Sequence, residues 1–222
     1  MKRILPFIIV VLVALITAGA GMALYHAKQP AAPVKLTKEK TIENAKTETT
    51  HVRGAANAPV TLEEFGDFQC PPCGAIAAPL LEVEKEYGPK LRVVFRNFPF
   101  DIHQHARAAA YAAEAAGLQG HFWEMHDLLY REQAAWSKAP DAQQLFESYA
   151  RVIGLDVELY KKDAESPAVQ QRVAADQKRG SELGVKNTPT IFVNNRELPP
   201  TLLNPSGVRG AIDEALKTIP AR

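Results

Sequence analysis

Phe65-Gly-Asp-Phe-Gln-Cys70-Pro-Pro-Cys73-Gly74 holds the only two cysteines in the 222-residue chain. Ahead of it, Val60-Thr-Leu-Glu-Glu-Phe65 reads as a strand, and behind it Gly74 to Tyr87 reads as a helix with a kink expected at Pro79. A thiol placed where a strand hands over to a helix N-terminus lies beside unpaired backbone N–H groups and the positive end of the macrodipole. That environment favours the thiolate, which is the reactive species. Cys73 is one helical turn further on and can close a disulfide with Cys70. A redox pair is the favoured reading, and two others compete with it. Half of a zinc site would need two of the six histidines, but His103 and His105 are two apart and His121 and His126 five apart, without a matching second pair. A static bridge closing so short a loop would restrain little of the unfolded chain. No metal site is therefore expected.

Outward to the N-terminus, Lys2 and Arg3 precede an uncharged run from Ile4 to Tyr25. About 20 apolar residues suffice to cross a bilayer, and the basic residues in front predict a cytoplasmic N-terminus with the remainder exported. Ile4 to Ile16 also has the size of a signal-peptide core, with Ala18-Gly-Ala20 as a small-residue cleavage site. Residues 1–25 are thus read as an anchor or a signal. Either one puts the folded part outside the cytoplasm, in a periplasm or cell envelope where disulfides persist. Residues 26–50, rich in Ala, Pro, Lys, Thr and Glu, read as a flexible linker. The formal net charge of +1 gives no reason to expect a nucleic-acid partner.

Residues 51–222 are enough for one well-buried domain. Leu91 to Phe95 reads as a second strand, with Leu91, Val93 and Phe95 on one face and Arg92, Val94 and Arg96 on the other. The helix between the two strands makes a right-handed βαβ unit the natural arrangement. A helical block follows over about 102–184. It includes His105–Leu118, a run around Phe122–Tyr130, Ala142–Ile153 capped by Asp141, a helix after Asp156, and a run from Pro167 towards Gly184. Thr190–Val193 returns to strand, Asn194-Asn195 is a hairpin turn candidate, and Ser206–Thr218 is a final helix. The fold class expected is α/β, with a helical insertion in a β-α-β, β-β-α core.

Four stretches together resemble the thioredoxin superfamily, and within it the DsbA-like thiol–disulfide oxidoreductases. They are Ala58-Pro-Val-Thr-Leu-Glu-Glu-Phe65 with Cys70-Pro-Pro-Cys73; Val94-Phe-Arg-Asn-Phe-Pro99; Ala106-Arg-Ala-Ala-Ala110 with Phe122-Trp-Glu-Met-His-Asp-Leu-Leu129; and Gly184-Val-Lys-Asn-Thr-Pro-Thr-Ile-Phe-Val-Asn194. The resemblance implies a thioredoxin-like fold and no cofactor beyond the Cys70–Cys73 disulfide itself. Cys70 would be the exposed attacking thiol and Cys73 the buried resolving one. Pro189 matches the family's cis-proline, and the backbone of Thr188 before it would pair with an extended client segment. Glu64 lies where family members carry a buried acid, and alternation puts it on the face of Val60 and Leu62. Buried there, it would have a raised pKa and relay the proton of the resolving thiol. Its neighbour Glu63 is expected to be solvated. Phe68 is expected in an apolar client-binding surface, while His121, Trp123, Met125 and His126 are read as packing.

Pro71 and Pro72 tune the pair. Strongly oxidising DsbA-like proteins usually have histidine where this chain has Pro72, which carries neither a cation nor an N–H. The resemblance nevertheless implies an exported oxidase that forms disulfides in unfolded or thiol-containing proteins. A DsbB-like or vitamin K epoxide reductase-like membrane protein would reoxidise it. A membrane-tethered reductase or isomerase is the alternative, followed by a thioredoxin-fold module that holds a client or metal without turnover.

Overall fold

A computed structural model of the chain describes residues 51–218. The expected anchor or signal and the linker lie outside those residues. Among the described residues no helix is long and apolar enough to cross a membrane.

The sheet has five strands in the order β1-β3-β2-β4-β5. These are β1 (Val52–Gly54), β2 (Val60–Gly66), β3 (Leu91–Asn97), β4 (Thr190–Val193) and β5 (Arg196–Glu197). β2 and β3 run parallel, joined by helix α1 (Pro71–Tyr87), and the remaining neighbours pair antiparallel. The first strand is absent from the sequence reading. Three residues at a sheet edge are too few to show alternation, and β1 is held by pairing with β3. The Asn194-Asn195 turn does form, both residues having positive φ (46° and 66°), as a tight hairpin between right-twisted strands requires.

Between β3 and β4 lie six helices: α2 (Ala106–Leu118), α3 (Phe122–Arg131), α4 (Gln133–Trp136), α5 (Gln143–Val152), α6 (Val157–Ala164) and α7 (Pro167–Leu183). Local signals account for several of their ends. Asp156 caps α6 by accepting from Leu159 N, Ser166 caps α7, and Gly184 ends α7 in the left-handed region with φ 80°. Asp141 falls one residue outside its expected place: Ala142 is the N-cap of α5, and Asp141 accepts from Gln143 N at 2.9 Å. Helix α8 (Pro205–Lys217), capped by Asn204, completes the chain order.

The central strand β2 is covered on both faces, and this decides where the acids go. Val60 and Leu62 pack with Ile76 and Val83 of α1 and Val208, Ala211 and Ile212 of α8. On the opposite face, Glu63 is buried, contrary to the solvated position expected for it. Arg179 of α7 grips its carboxylate with two bonds of 2.8 and 2.9 Å, and Arg96 Nε donates to it at 2.9 Å. Arg96 also donates to Asp176 at 2.9 Å. Burial pushes the Glu63 carboxyl up, but the two guanidiniums outweigh it and hold the group below its ordinary range. The helical block has its own apolar core around Phe68, Phe95, Phe122, Met125, Leu129, Trp136 and Phe146.

Candidate active site

β2 ends at Gly66, and four residues later Cys70 is the N-cap of α1, with extended backbone and Pro71 and Pro72 at the first helical positions. Proline fits there because its missing N–H would have had no intrahelical acceptor. The helix thus starts three residues earlier than alternation and propensity suggest. Gly74 N reaches back to Cys70 O at 3.1 Å and completes the first turn.

The two thiols are free and differ in setting. Cys73 has no exposed surface and Cys70 retains 7% of its own. Cys70 is therefore only narrowly open, rather than exposed as the resemblance implies. Donation from the Cys73 side chain holds the Cys70 thiol down to about 6, against the opposing effect of burial; the Cys73 backbone assists. Burial pushes the Cys73 thiol far upward, with the contact to Cys70 and the charge of Glu64 adding to it. At neutral pH the pair therefore carries one proton, on Cys73. The Cys70 thiol donates to Thr188 O at 3.3 Å, whereas the Thr188 hydroxyl is buried without a hydrogen-bond partner among the described residues.

The Thr188–Pro189 peptide bond is cis. Pro72, Thr188, Pro189, Leu198, Pro200 and Leu203 line a groove of about 300 Å³ on this side of the cysteines. Phe68 does not contribute to it. It is 1% exposed and packs inward on Phe95, Tyr130 and His126, with ring centroids 4.9–5.5 Å away. The expected client-facing role of Phe68 is thereby replaced by a core role, because the β2–α1 loop turns its ring beneath the cysteines.

Glu64 is 4% exposed, as alternation requires, between Phe95 of β3 and Ile191 of β4. Burial pushes its carboxyl up to about 7, with the charge of Arg53 opposing. That value lets it give or take a proton near neutrality.

Three further side chains shape the loop without a local signal in the sequence. Asp67 is buried and accepts from Gln69 N (2.8 Å), Phe100 N (2.9 Å) and His103 Nδ1 (2.7 Å). Gln133 of α4 donates to Phe68 O at 2.6 Å and Cys70 O at 3.0 Å, tying the helical block to the redox loop. Gly74 leaves room for this amide, since a Cβ there would run into Gln133 Oε1 and push the side chain aside. Gln69 accepts from His105 N at 2.6 Å and donates to Ser137 O at 3.1 Å. Apart from the local Asp67–Gln69 bond, only a tertiary structure brings these partners together, from 33 to 68 residues apart.

A family model described as Thioredoxin matches residues 46–214. Among solved structures, a thioredoxin-like oxidoreductase from Silicibacter pomeroyi DSS-3 is 29% identical with a TM-score of 0.65, covering 76% of this chain and 93% of that one. Oxidised BdbD from Bacillus subtilis is 26% identical with a TM-score of 0.64, covering 75% and 92%. Curated relatives include a Na(+)/H(+) antiporter NhaA 1 of Mycolicibacterium gilvum (strain PYR-GCK), 36% identical over 181 residues, which are 79% of this chain and 28% of that protein. The chain thus spans about a quarter of the length of the curated relatives it matches. With the family match running through most of its length and these folds superimposing on it, the chain belongs to the thioredoxin family.

Proposed function

We propose that the chain is an exported enzyme that introduces disulfides into proteins outside the cytoplasm. The observation that carries this is the asymmetry of the pair: Cys70, at a helix N-terminus beside a groove, bonded by Cys73, which is wholly sealed. A client thiolate attacks Cys70 Sγ of the Cys70–Cys73 disulfide. The client–Cys70 bond forms as the Cys70–Cys73 bond breaks, and Cys73 leaves as a thiolate. Glu64 then supplies Cys73 with a proton. A second client thiolate attacks the client sulfur of the mixed disulfide and expels Cys70 as a stable thiolate. The client dithiol is oxidised by two electrons and the enzyme pair reduced by two. A stabilised Cys70 thiolate favours the reduced form and so makes the disulfide oxidising.

The groove at Thr188 and Pro189 suits an extended client segment pairing with the Thr188 backbone. Export is supported by Lys2, Arg3 and the uncharged run 4–25. Reoxidation then falls to a DsbB-like or vitamin K epoxide reductase-like membrane protein. Pro72, exposed and without an N–H, favours the second reading, a membrane-tethered reductase. Glutathione equilibration of the purified chain separates the two. A reduction potential between about −120 and −180 mV is expected, and a value near about −270 mV would assign it to the reductants.

A further inference from the structure

Glu64 Oε1 and His126 Nε2 are buried polar atoms with no hydrogen-bond partner among the described residues, and Tyr130 Oη, which feels the charges of Cys73 and Glu64, is another. Glu64 and His126 line one small, partly open cavity of about 20 Å³, together with Arg53, Glu84, Trp123 and apolar side chains of the strands and α1. A water needs about 10–15 Å³ and two or more polar partners, so this cavity suits a single molecule. The other ring nitrogen of His126 is 2.8 Å from Asp127 Oδ1. A carboxylate can only accept, which places the proton on Nδ1 and turns the Nε2 lone pair away from Asp127. Asp127 reaches solvent, its side chain being 38% exposed, and also accepts from Arg53 Nη1 at 2.8 Å. The sequence reading treats His126 as packing, and its contacts with Phe68, Phe95 and Tyr130 do pack it. They leave its chemistry unexplained.

We propose that His126 and Asp127 are the outer half of a proton path joining Glu64 to solvent, with one water bridging Glu64 Oε1 and His126 Nε2. The path rests on the disulfide-exchange reading above. When the reduced pair is oxidised, Cys73 passes its proton to the Glu64 carboxylate and the Cys73 thiolate attacks the mixed disulfide at Cys70. Protonated Glu64 then gives its proton to the water, and the water gives one of its own to His126 Nε2. His126 releases the Nδ1 proton to Asp127, which loses it to bulk. One proton leaves Cys73 and one reaches solvent; Glu64, the water and Asp127 return to their starting states, while His126 is left as the Nε2–H tautomer, which the inward proton transfer that reprotonates Cys73 in the opposite half-reaction resets. Burial holds His126 below its ordinary pKa, so the ring is neutral and able to accept. The groups acting on it are Asp127 and Tyr130 of its own helix, His51 and Arg53 at β1, Glu64 of β2 and Glu84 of α1.

The test mixes the reduced full chain with an excess of an aromatic disulfide whose thiolate product is coloured. Attack by Cys70 releases the first thiolate and forms the mixed disulfide; attack by Cys73 releases the second. His126→Phe, which keeps an aromatic ring in place, is expected to leave the first release unchanged and slow the second about 100-fold, the low end for a positioned proton carrier. Glu64→Gln should slow the second release similarly, and the double variant no further, because both lie on one path. Asp127→Asn, at the surface, tests the same step should His126→Phe fail to fold. A second release at the unaltered rate in folded His126→Phe or in Asp127→Asn would overturn the path, as would multiplied losses in the double variant. No second release from the unaltered chain would overturn the exchange reading itself, and this path with it.

Discussion

Replacing Cys73 by alanine removes the largest single influence holding the Cys70 thiol down at about 6. A hydrogen bond to a charged acceptor contributes about 1.5–3 kcal/mol, and about 1.4 kcal/mol corresponds to one pKa unit. Without the sulfur donor, Cys70 is therefore expected to titrate about 1–2 units higher, near about 7–8. The backbone N–H of residue 73 remains, which is why the value should stop short of an unperturbed thiol. At pH 7 the thiolate fraction would fall from about nine-tenths to between about a half and a tenth. Cys73→Ser supplies the control: its hydroxyl still donates, so Cys70 should stay near about 6. The assay is ultraviolet absorbance of the thiolate against pH, checked by the pH dependence of alkylation. A midpoint still near about 6 in Cys73→Ala would refute the assignment and transfer the effect to the helix terminus.

Three other outcomes follow from the same geometry. The folded chain holds the Glu64 proton up to about pH 7, whereas the unfolded chain releases it near 4.5. Stability of the reduced form should thus be full below about pH 4.5 and fall by about 3 kcal/mol as pH rises through about 7. Glu64→Gln should flatten that slope in denaturant unfolding measured across pH. Thr188→Val removes only a hydroxyl without a hydrogen-bond partner and keeps the carbonyl that meets Cys70, so the reduction potential should shift by less than about 30 mV, the change for one pKa unit at Cys70, read by glutathione equilibration. Phe68→Ala should cost about 3–5 kcal/mol in unfolding experiments, as a buried aromatic does. A loss of client affinity without a loss of stability would restore Phe68 to the binding surface.

The cysteines, the parallel βαβ unit and the closing hairpin are legible in the sequence because each has a short-range signature: spacing, alternation, or an Asn-Asn turn. Glu64 is legible too, since alternation places it with Val60 and Leu62. The same alternation misleads for Glu63. It puts the two acids on opposite faces but does not reveal that β2 is covered on both. Arg179, which neutralises Glu63, is 116 residues away. Gln133, whose amide braces the redox loop from 63 and 65 residues downstream, has no spacing signal at all. Phe68 shows the converse problem. An aromatic beside a reactive thiol suits a binding surface and a core equally well, and only the path of the loop decides between them.

The pairing of Gly74 with Gln133 bears on how this domain can be altered or inherited. The Gln133 side chain fills the room left by the missing Cβ of Gly74 and bonds Cys70 O, so the choices at the two positions are coupled. An insertion transplanted from another protein would bring its own residue at 133 and meet a cysteine loop shaped for glutamine. A chimera should work only where its donor fits both sites, and a side chain introduced at 74 should demand a smaller one at 133. The helical block is thus not interchangeable trim around a redox core, but half of the mould in which Cys70 is set.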